Sequence, residues 1–386
     1  MTLRFLTAGE SHGPRLTVIV EGLPAGIPVD GAALDRDLAR RQGGHGRGAR
    51  STRIERDHAE ISSGIHEGRT TGAPVALVIE NRDFANQPEE RPPITTPRPG
   101  HADLAGRWKY GLDDLRVVRE RASARETAAR VAAGGLARAL LREFGVEVGS
   151  FVLSFGILSA DVPPLDDLDD DGLLRLAATA EDDAVRCPDP RASEAMVAAV
   201  DAARRERQTL GGTFAVFAAG VPAGLGSYVQ WDRKLDGRLA QAVCSIHAVK
   251  GVEIGPAFDV AARPGASAQD PIERDGQELR RPTNRAGGLE GGVTNGAPLV
   301  VRAAMKPLSS VRVAARSVDL ASGEATDPPF VRTDVAAVPA AAVVGEAMVA
   351  WVLAEAITER FGGDRLDLMR AALDAAGDAW LPRGTR

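Results

Sequence analysis

Gly22-Leu-Pro-Ala-Gly-Ile27 returns in the second half of the chain as Gly220-Val-Pro-Ala-Gly-Leu225. Each copy follows a β-rich run, Leu16–Glu21 in one case and Thr213–Ala219 in the other, and each precedes a helical pattern. Two readings account for the echo. It marks two similar halves related by a pseudo-twofold, or it is a common turn solution in which Pro presets one backbone angle and Gly supplies another. Duplication is the preferred reading.

Working outward, Asp30 caps a helix to about Arg41, with Leu34 and Leu38 four apart on one face. Gln42–Arg50 (QGGHGRGAR) then reads as a mobile, glycine-rich basic loop, and proline-rich 88–100 as a second irregular segment. Ser123-Ala-Arg-Glu126 has the capping-box pattern and starts an alanine-rich helix to about Phe144. Further helices are expected at 192–207, 236–247, 339–360 and 365–376, strands at 147–158, 213–219 and 299–304, and an acidic surface loop at 161–171. The most apolar stretch, Ala336–Ile357, is interrupted by Pro339, Gly345, Glu346 and Glu355, which favours a buried helix over a membrane span.

Composition narrows the class. With 44% hydrophobic and 26% charged residues the chain has the make-up of a globular protein, not a disordered one. A net charge of −6 and 4% aromatic residues disfavour a nucleic-acid binder. Cys187 and Cys244 make no disulfide framework and lack metal-ligand spacing, so no metal and a reducing cytoplasm are expected. The first ten residues lack the apolar core of a signal peptide. Basic charge is nevertheless concentrated between Arg36 and Arg56, where seven arginines face only Asp37 and Glu55. Guanidinium forks match phosphate and carboxylate, so an anionic ligand is one reading. The other is a solvated face in an arginine-rich protein, since only four of the 47 basic residues are lysine.

Five segments carry candidate chemistry. Gly9-Glu-Ser-His-Gly13 offers His12 as a proton donor near neutral pH, or as a hydrogen-bonded structural group in a turn. The Arg41–Arg50 loop is the second, and Arg98-Pro-Gly-His-Ala-Asp103, with His101 under the same two readings, is the third. Glu120-Arg-Ala-Ser-Ala-Arg-Glu-Thr127 places Arg121, Ala122 and Ser123 at a helix N-terminus, where free amides and the helix dipole favour anions, with Arg125 in reach. The fifth is the glycine-rich 284–296 with Met305–Ser310 and Arg332-Thr-Asp334. It is not a Walker loop and lacks dinucleotide-binding spacing.

Together these segments are specific. Residues 9–13, 121–127 and 332–341, in that order, resemble the three signature segments of the chorismate synthases, and 98–103, 284–292 and 305–307 resemble the same family. The likeness runs from residue 3 to about 360. Two departures are Thr333 in place of a usual serine and Ala336 where many relatives carry cysteine.

The resemblance implies an α/β sandwich, a helical core between antiparallel sheets, in a single domain over 1–386 with a flexible tail after about 377. It implies a lyase of the shikimate pathway of aromatic amino-acid biosynthesis. The reaction is a 1,4-anti elimination of phosphate from 5-enolpyruvylshikimate-3-phosphate that gives chorismate and needs reduced FMN. By the family pattern, Arg121, Ala122, Ser123, His247, Ala248, Gly291, Lys306, Pro307, Leu308, Ser309, Ser310 and Arg332 hold the flavin. Arg41 and Arg47 match positions assigned to NADP and, with Arg125 and Arg332, suit the substrate anion. His12 then protonates the departing phosphate and His101 the reduced flavin, while Asp334 helps take the C6 proton. The family also implies a cytoplasmic homotetramer, NADPH as the source of reductant (directly or through a separate flavin reductase), and no membrane or nucleic-acid partner. Two other functions are weighed against it: a flavin/NADPH oxidoreductase, and a non-enzymatic anion- or RNA-binding protein.

Overall fold

The computed structural model describes residues 2–88, 91–275, 278–311, 316–328 and 333–377. In the first half, β1 (Arg4–Gly9), β2 (Arg15–Glu21), β3 (Glu60–Ser63) and β4 (Val75–Glu80) form an antiparallel sheet in the order β1-β2-β4-β3. In the second half, β5 (Glu147–Phe155), β6 (Leu158–Ser159), β7 (Gly212–Ala219), β8 (Val249–Ile254) and β9 (Leu299–Met305) form another, ordered β8-β9-β7-β5-β6. Taken from its other edge and without β6, the second sheet repeats the first strand for strand.

The echoed loops close the same way in both halves. The Thr70 hydroxyl donates to Pro24 O (2.5 Å) and accepts from Ile27 N (2.9 Å). The Thr294 hydroxyl donates to Pro222 O (2.7 Å) and accepts from Leu225 N (2.8 Å). Gly26 and Gly224 sit at φ of +97° and +85°, a conformation that favours glycine. A local turn preference does not supply a matching threonine from a distant hairpin, so the echo is a duplication. A second echo, Thr70-Thr-Gly-Ala-Pro-Val75 against Thr294-Asn-Gly-Ala-Pro-Leu299, carries those threonines.

The longer helices are α1 (Gly31–Gln42), α2 (Asp103–Tyr110), α3 (Leu115–Arg121), α4 (Thr127–Arg142), α5 (Asp170–Glu181), α6 (Pro190–Arg205), α7 (Leu235–Cys244), α8 (Val338–Phe361) and α9 (Leu366–Gly377). A helical layer led by α4 and α8 separates the sheets, α4 packing on β2 and α8 on β5 and β7. α8 is long and apolar enough to cross a membrane, yet 94% of its apolar window is buried in the fold, as expected of a core helix. On the outer side of the second sheet, α5 covers Phe151, Leu153 and Phe217 with Leu173. That second cover explains why β5 is buried on both faces while β2 alternates.

α4 and α8 touch at backbone range. A Cβ on Gly134 would stand 2.3 Å from Ala347 Cβ, and no rotamer relieves a backbone approach. Gly134→Ala is therefore expected to cost about 1–3 kcal/mol of stability by overpacking. Urea unfolding measures it, and an unshifted midpoint would show that the helices part freely.

Most expected elements are present within a few residues, with differences that have physical causes. The capping box is half formed. Ser123 Oγ accepts from Arg125 N (3.3 Å), but Glu126 turns to Thr7 and Arg130, and a 3₁₀ turn precedes α4. Arg121 is the last residue of α3 and lies at a helix C-terminus, not an N-terminus. The acidic segment 161–171 is not all loop, because Asp169 caps α5 by accepting from Gly172 N (2.8 Å). The expected tail after about 377 and Arg332 lie outside the described residues.

Candidate active site

His12 lies between β1 and β2, on a loop that Asn81 pins by donating to Glu10 O (3.0 Å) and Gly13 O (2.8 Å). The loop docks on the last turn of α3. Ser11 N donates to Glu120 O (3.1 Å), and His12 Nδ1 and N lie 2.9 and 2.6 Å from the two Glu120 carboxylate oxygens. Arg50 reaches the other side of the ring, its Nη1 lying 3.2 Å from His12 Nε2 and donating to Ser11 Oγ (2.9 Å). Ser123 Oγ meets Ser11 Oγ at 3.1 Å, and Arg121 donates to Thr7 O and Gly9 O. The first and fourth sequence segments thus form one wall.

His101 belongs to the adjoining wall. Its Nδ1 lies 2.6 Å from Asp103, which also accepts from Arg98 and Arg119. Burial alone would raise the Asp103 carboxyl, but the bonds from His101 and Arg98 outweigh it and hold the group below its ordinary value. Residues 119 and 120 are neighbours on α3, so one turn of helix braces both histidines: Arg119 through Asp103, Glu120 directly.

The C-terminal segments close on His101. Lys306 Nζ donates to Gly100 O (2.9 Å), Arg98 Nη1 to Ser310 Oγ (3.0 Å), and Lys306 N to Ala248 O (2.9 Å). Ser309 Cβ lies 3.5 Å from where a Gly100 Cβ would stand. Leu308 instead packs on the core and accepts from Thr209, and Pro307 is exposed. Gly291 is not drawn in. It turns the Leu289–Glu290/Val293–Thr294 hairpin, where a Cβ would meet Tyr228 and neither histidine.

The arginines are buried. Arg125 Nη1 lies 2.7 Å from both oxygens of Asp57, and its Nε donates to Asn81. Arg41 donates to Thr127 Oγ1 (2.9 Å) and Ala124 O (3.0 Å), with Asp57 at 3.5 Å. Burial pushes the Arg41 guanidinium down to about 9; Asp57 opposes this, and Arg125 and Arg47 push it further. Arg47 pairs with Asp334, which also accepts from Gly48 N (2.6 Å). The glycine-rich loop, expected to be mobile, rests against the fold in this structure. His45 holds Ala184 and Asp201, Gly46 O accepts from Val335 N, and a Cβ at Gly46 would press on Val200 and Ala336. The missing Cβ of Gly46 is what lets the loop seat against Val200 and Ala336.

Glu120, Asp103, Asp57 and Asn81 did not stand out in the sequence. The first two lie at the edges of the recognised segments; the others carry no local signal.

Comparison with known proteins gives the family. The chorismate synthase family profile matches residues 3–358. The chorismate synthase of Rubrobacter xylanophilus is 55% identical, the match covering 97% of this chain and 96% of that one. That of Desulforudis audaxviator is 54% identical over 94% of each. A crystal structure of a chorismate synthase superposes with a TM-score of 0.82 at 41% identity, covering 98% of both chains. The chain belongs to the chorismate synthase family.

The activity is that of the family: a carbon–oxygen lyase of the shikimate pathway that eliminates phosphate from 5-enolpyruvylshikimate-3-phosphate and depends on reduced FMN. The residues present suit a flavin. His247 Nδ1 is buried with no hydrogen-bond partner among the described residues. Burial pushes its ring down to about 4; Glu126 counters this, and Arg130, His101 and Arg41 add to it. Its neighbour Ala248 holds φ +65°, a strained value for a residue with a side chain. That ring nitrogen, with Lys306 and Ser309 at Gly100 and Ser310 on Arg98, offers groups that a polar heterocycle with a phosphate tail would engage.

Proposed function

We propose that the two walls meeting at α3 form the reaction centre, His12 on the substrate side and His101 on the cofactor side. What carries this reading is the bracing of both histidines by one helical turn, beside a His247 Nδ1 that has no partner among the described residues. His12 gives a proton from Nε2 to the departing phosphate, and His101 keeps a proton available to the flavin. Asp334, released from Arg47, helps take the proton lost from C6. When bound, reduced FMN supplies transient negative charge to the substrate. Arg121, Ala122, Ser123, His247, Ala248, Lys306, Ser309 and Ser310 hold it, with Gly291, Pro307, Leu308 and Arg332 following from the family pattern.

Arg41 and Arg125 supply positive potential from behind the site, because their donors are already engaged within the protein. Arg47 is the arginine whose partner can change, since a substrate anion competes with Asp334 for it. A charge-assisted hydrogen bond there would contribute about 1.5–3 kcal/mol. The family pattern also supports a cytoplasmic homotetramer fed with NADPH-derived reductant, directly or by a separate reductase.

An anaerobic assay with reduced FMN and 5-enolpyruvylshikimate-3-phosphate tests the chain itself, following chorismate and phosphate. Equal release of both without stoichiometric NADPH use is expected. Steady NADPH oxidation without phosphate release would favour the oxidoreductase reading.

Substrate and flavin are also expected to bind cooperatively, since the substrate anion rearranges a pocket the flavin shares. The coupling should be about 1–3 kcal/mol, and Arg47→Ala should remove most of it while leaving flavin affinity alone nearly unchanged. Flavin fluorescence titrations with and without substrate, on both proteins, measure it. Equal flavin affinity with and without substrate in the unmutated protein would exclude the coupling.

A further inference from the structure

A histidine that delivers a proton must present the right nitrogen, and a free imidazole does not choose between its two. His12 has contacts at both. Nδ1 lies 2.9 and 3.2 Å from the two oxygens of Glu120, and Nε2 lies 3.2 Å from Arg50 Nη1. An ionised carboxylate only accepts and a guanidinium only donates, so both contacts demand the same tautomer: the proton on Nδ1, the lone pair on Nε2. Glu120 is ionised. Its burial would raise the carboxyl, but the bonds from the His12 ring and amide outweigh burial and lower it.

Glu120 does more than touch the ring. One carboxylate oxygen also accepts from His12 N at 2.6 Å, and its main-chain oxygen accepts from Ser11 N at 3.1 Å. A single residue therefore fixes the backbone, orientation and tautomer of the proposed acid. A capping or surface role would use neither the ring nor both oxygens.

We infer that Glu120 is the positioning residue of His12, holding its proton on Nδ1 so that Nε2 is the nitrogen that loads and delivers. The inference rests on the reading of His12 as the proton donor. In the step, the Nε2–H bond of the imidazolium breaks and an O–H bond forms on the departing phosphate. The ring becomes neutral with Nδ1–H still on Glu120, which does not itself take the proton, and solvent reloads Nε2 between turnovers. Arg50, which donates to Nε2 in the unloaded ring, gives up that contact when Nε2 is protonated and keeps Ser11 Oγ and Glu55 as acceptors.

Glu120→Gln leaves one acceptor for two donors, His12 N and Nδ1, and places an NH₂ where the second oxygen stood. The expected result is a fall in kcat of about 10²-fold, with KM and flavin affinity changed less than about threefold, because the loss lies in the proton-transfer step. Added to His12→Ala, the Gln substitution should slow turnover no further, since the residue it positions is gone. If Glu120→Gln multiplies its full factor onto His12→Ala, Glu120 acts elsewhere and the inference is overturned while the role of His12 stands. If His12→Ala turns over at the full rate, the role of His12 falls and the inference with it. ¹⁵N NMR of the neutral His12 ring in the unmutated, flavin-free protein gives an independent answer. The Nδ1–H tautomer is expected, and the Nε2–H tautomer overturns the inference even if the Gln variant fails to fold.

Discussion

Replacing His12 or His101 with alanine is expected to slow turnover by about 10²–10⁴, the usual span for removing a general acid. Flavin affinity should change little. The geometry argues that neither change unfolds the site. Without the His101 ring, Asp103 still accepts from Arg98 and Arg119. Without the His12 ring, Glu120 keeps the residue 12 amide and Arg50 keeps Ser11 and Glu55. Pre-steady-state and steady-state assays with saturating reduced FMN and substrate separate the step from binding. A variant with near-full kcat would make that histidine a structural hydrogen-bonding group, the other role open to a histidine in a turn.

Much of the frame was legible because it is local. The Asp30 cap and the Leu34/Leu38 spacing define α1, and the apolar run defines α8 despite Glu346 and Glu355. The Gly22/Gly220 echo pointed to the duplication, but the threonines that prove it lie in hairpins remote from each loop. The strand Val75–Glu80 has a weak local signal, since its run is short and directly follows a turn. In the site, the histidines and arginines were visible as residue types within recognisable segments. Their partners were not: Asp57 and Arg125, or Arg47 and Asp334, are joined only by tertiary packing. The sequence also cannot show which donors are already used, so Arg41 and Arg125 read as free ligands when their N–H groups face the protein.

The largest effect on stability is expected at Glu346, a carboxylate in the middle of α8 with no solvent exposure. It accepts from Arg40 (2.7 and 2.8 Å), Arg138 (2.6 Å) and Ser150 (2.6 Å), with Arg186 at 3.5 Å. Burial would raise its carboxyl, yet the arginines, Arg40 first, lower it from 4.5 to about 2. Asp37 and Glu181 complete a network of three arginines and three carboxylates. Glu346→Gln keeps the shape and removes one charge, leaving positive charge buried without its partner. Breaking a buried pair this way costs about 3–5 kcal/mol, and urea unfolding near pH 7 should show it. The sign of the pH dependence follows from the lowered carboxyl. Its contribution is complete above about pH 4.5 and is lost as pH falls toward 2, because the unfolded chain then binds the proton more readily. That part of the acid sensitivity should vanish in the Gln variant. Arg40 and Arg138 come from the first repeat, and Arg186, Ser150 and Glu346 from the second, so the network ties together two halves that duplication alone would leave merely packed. A variant with an unchanged urea midpoint would mean that apolar contact between α4 and α8 holds the halves without it.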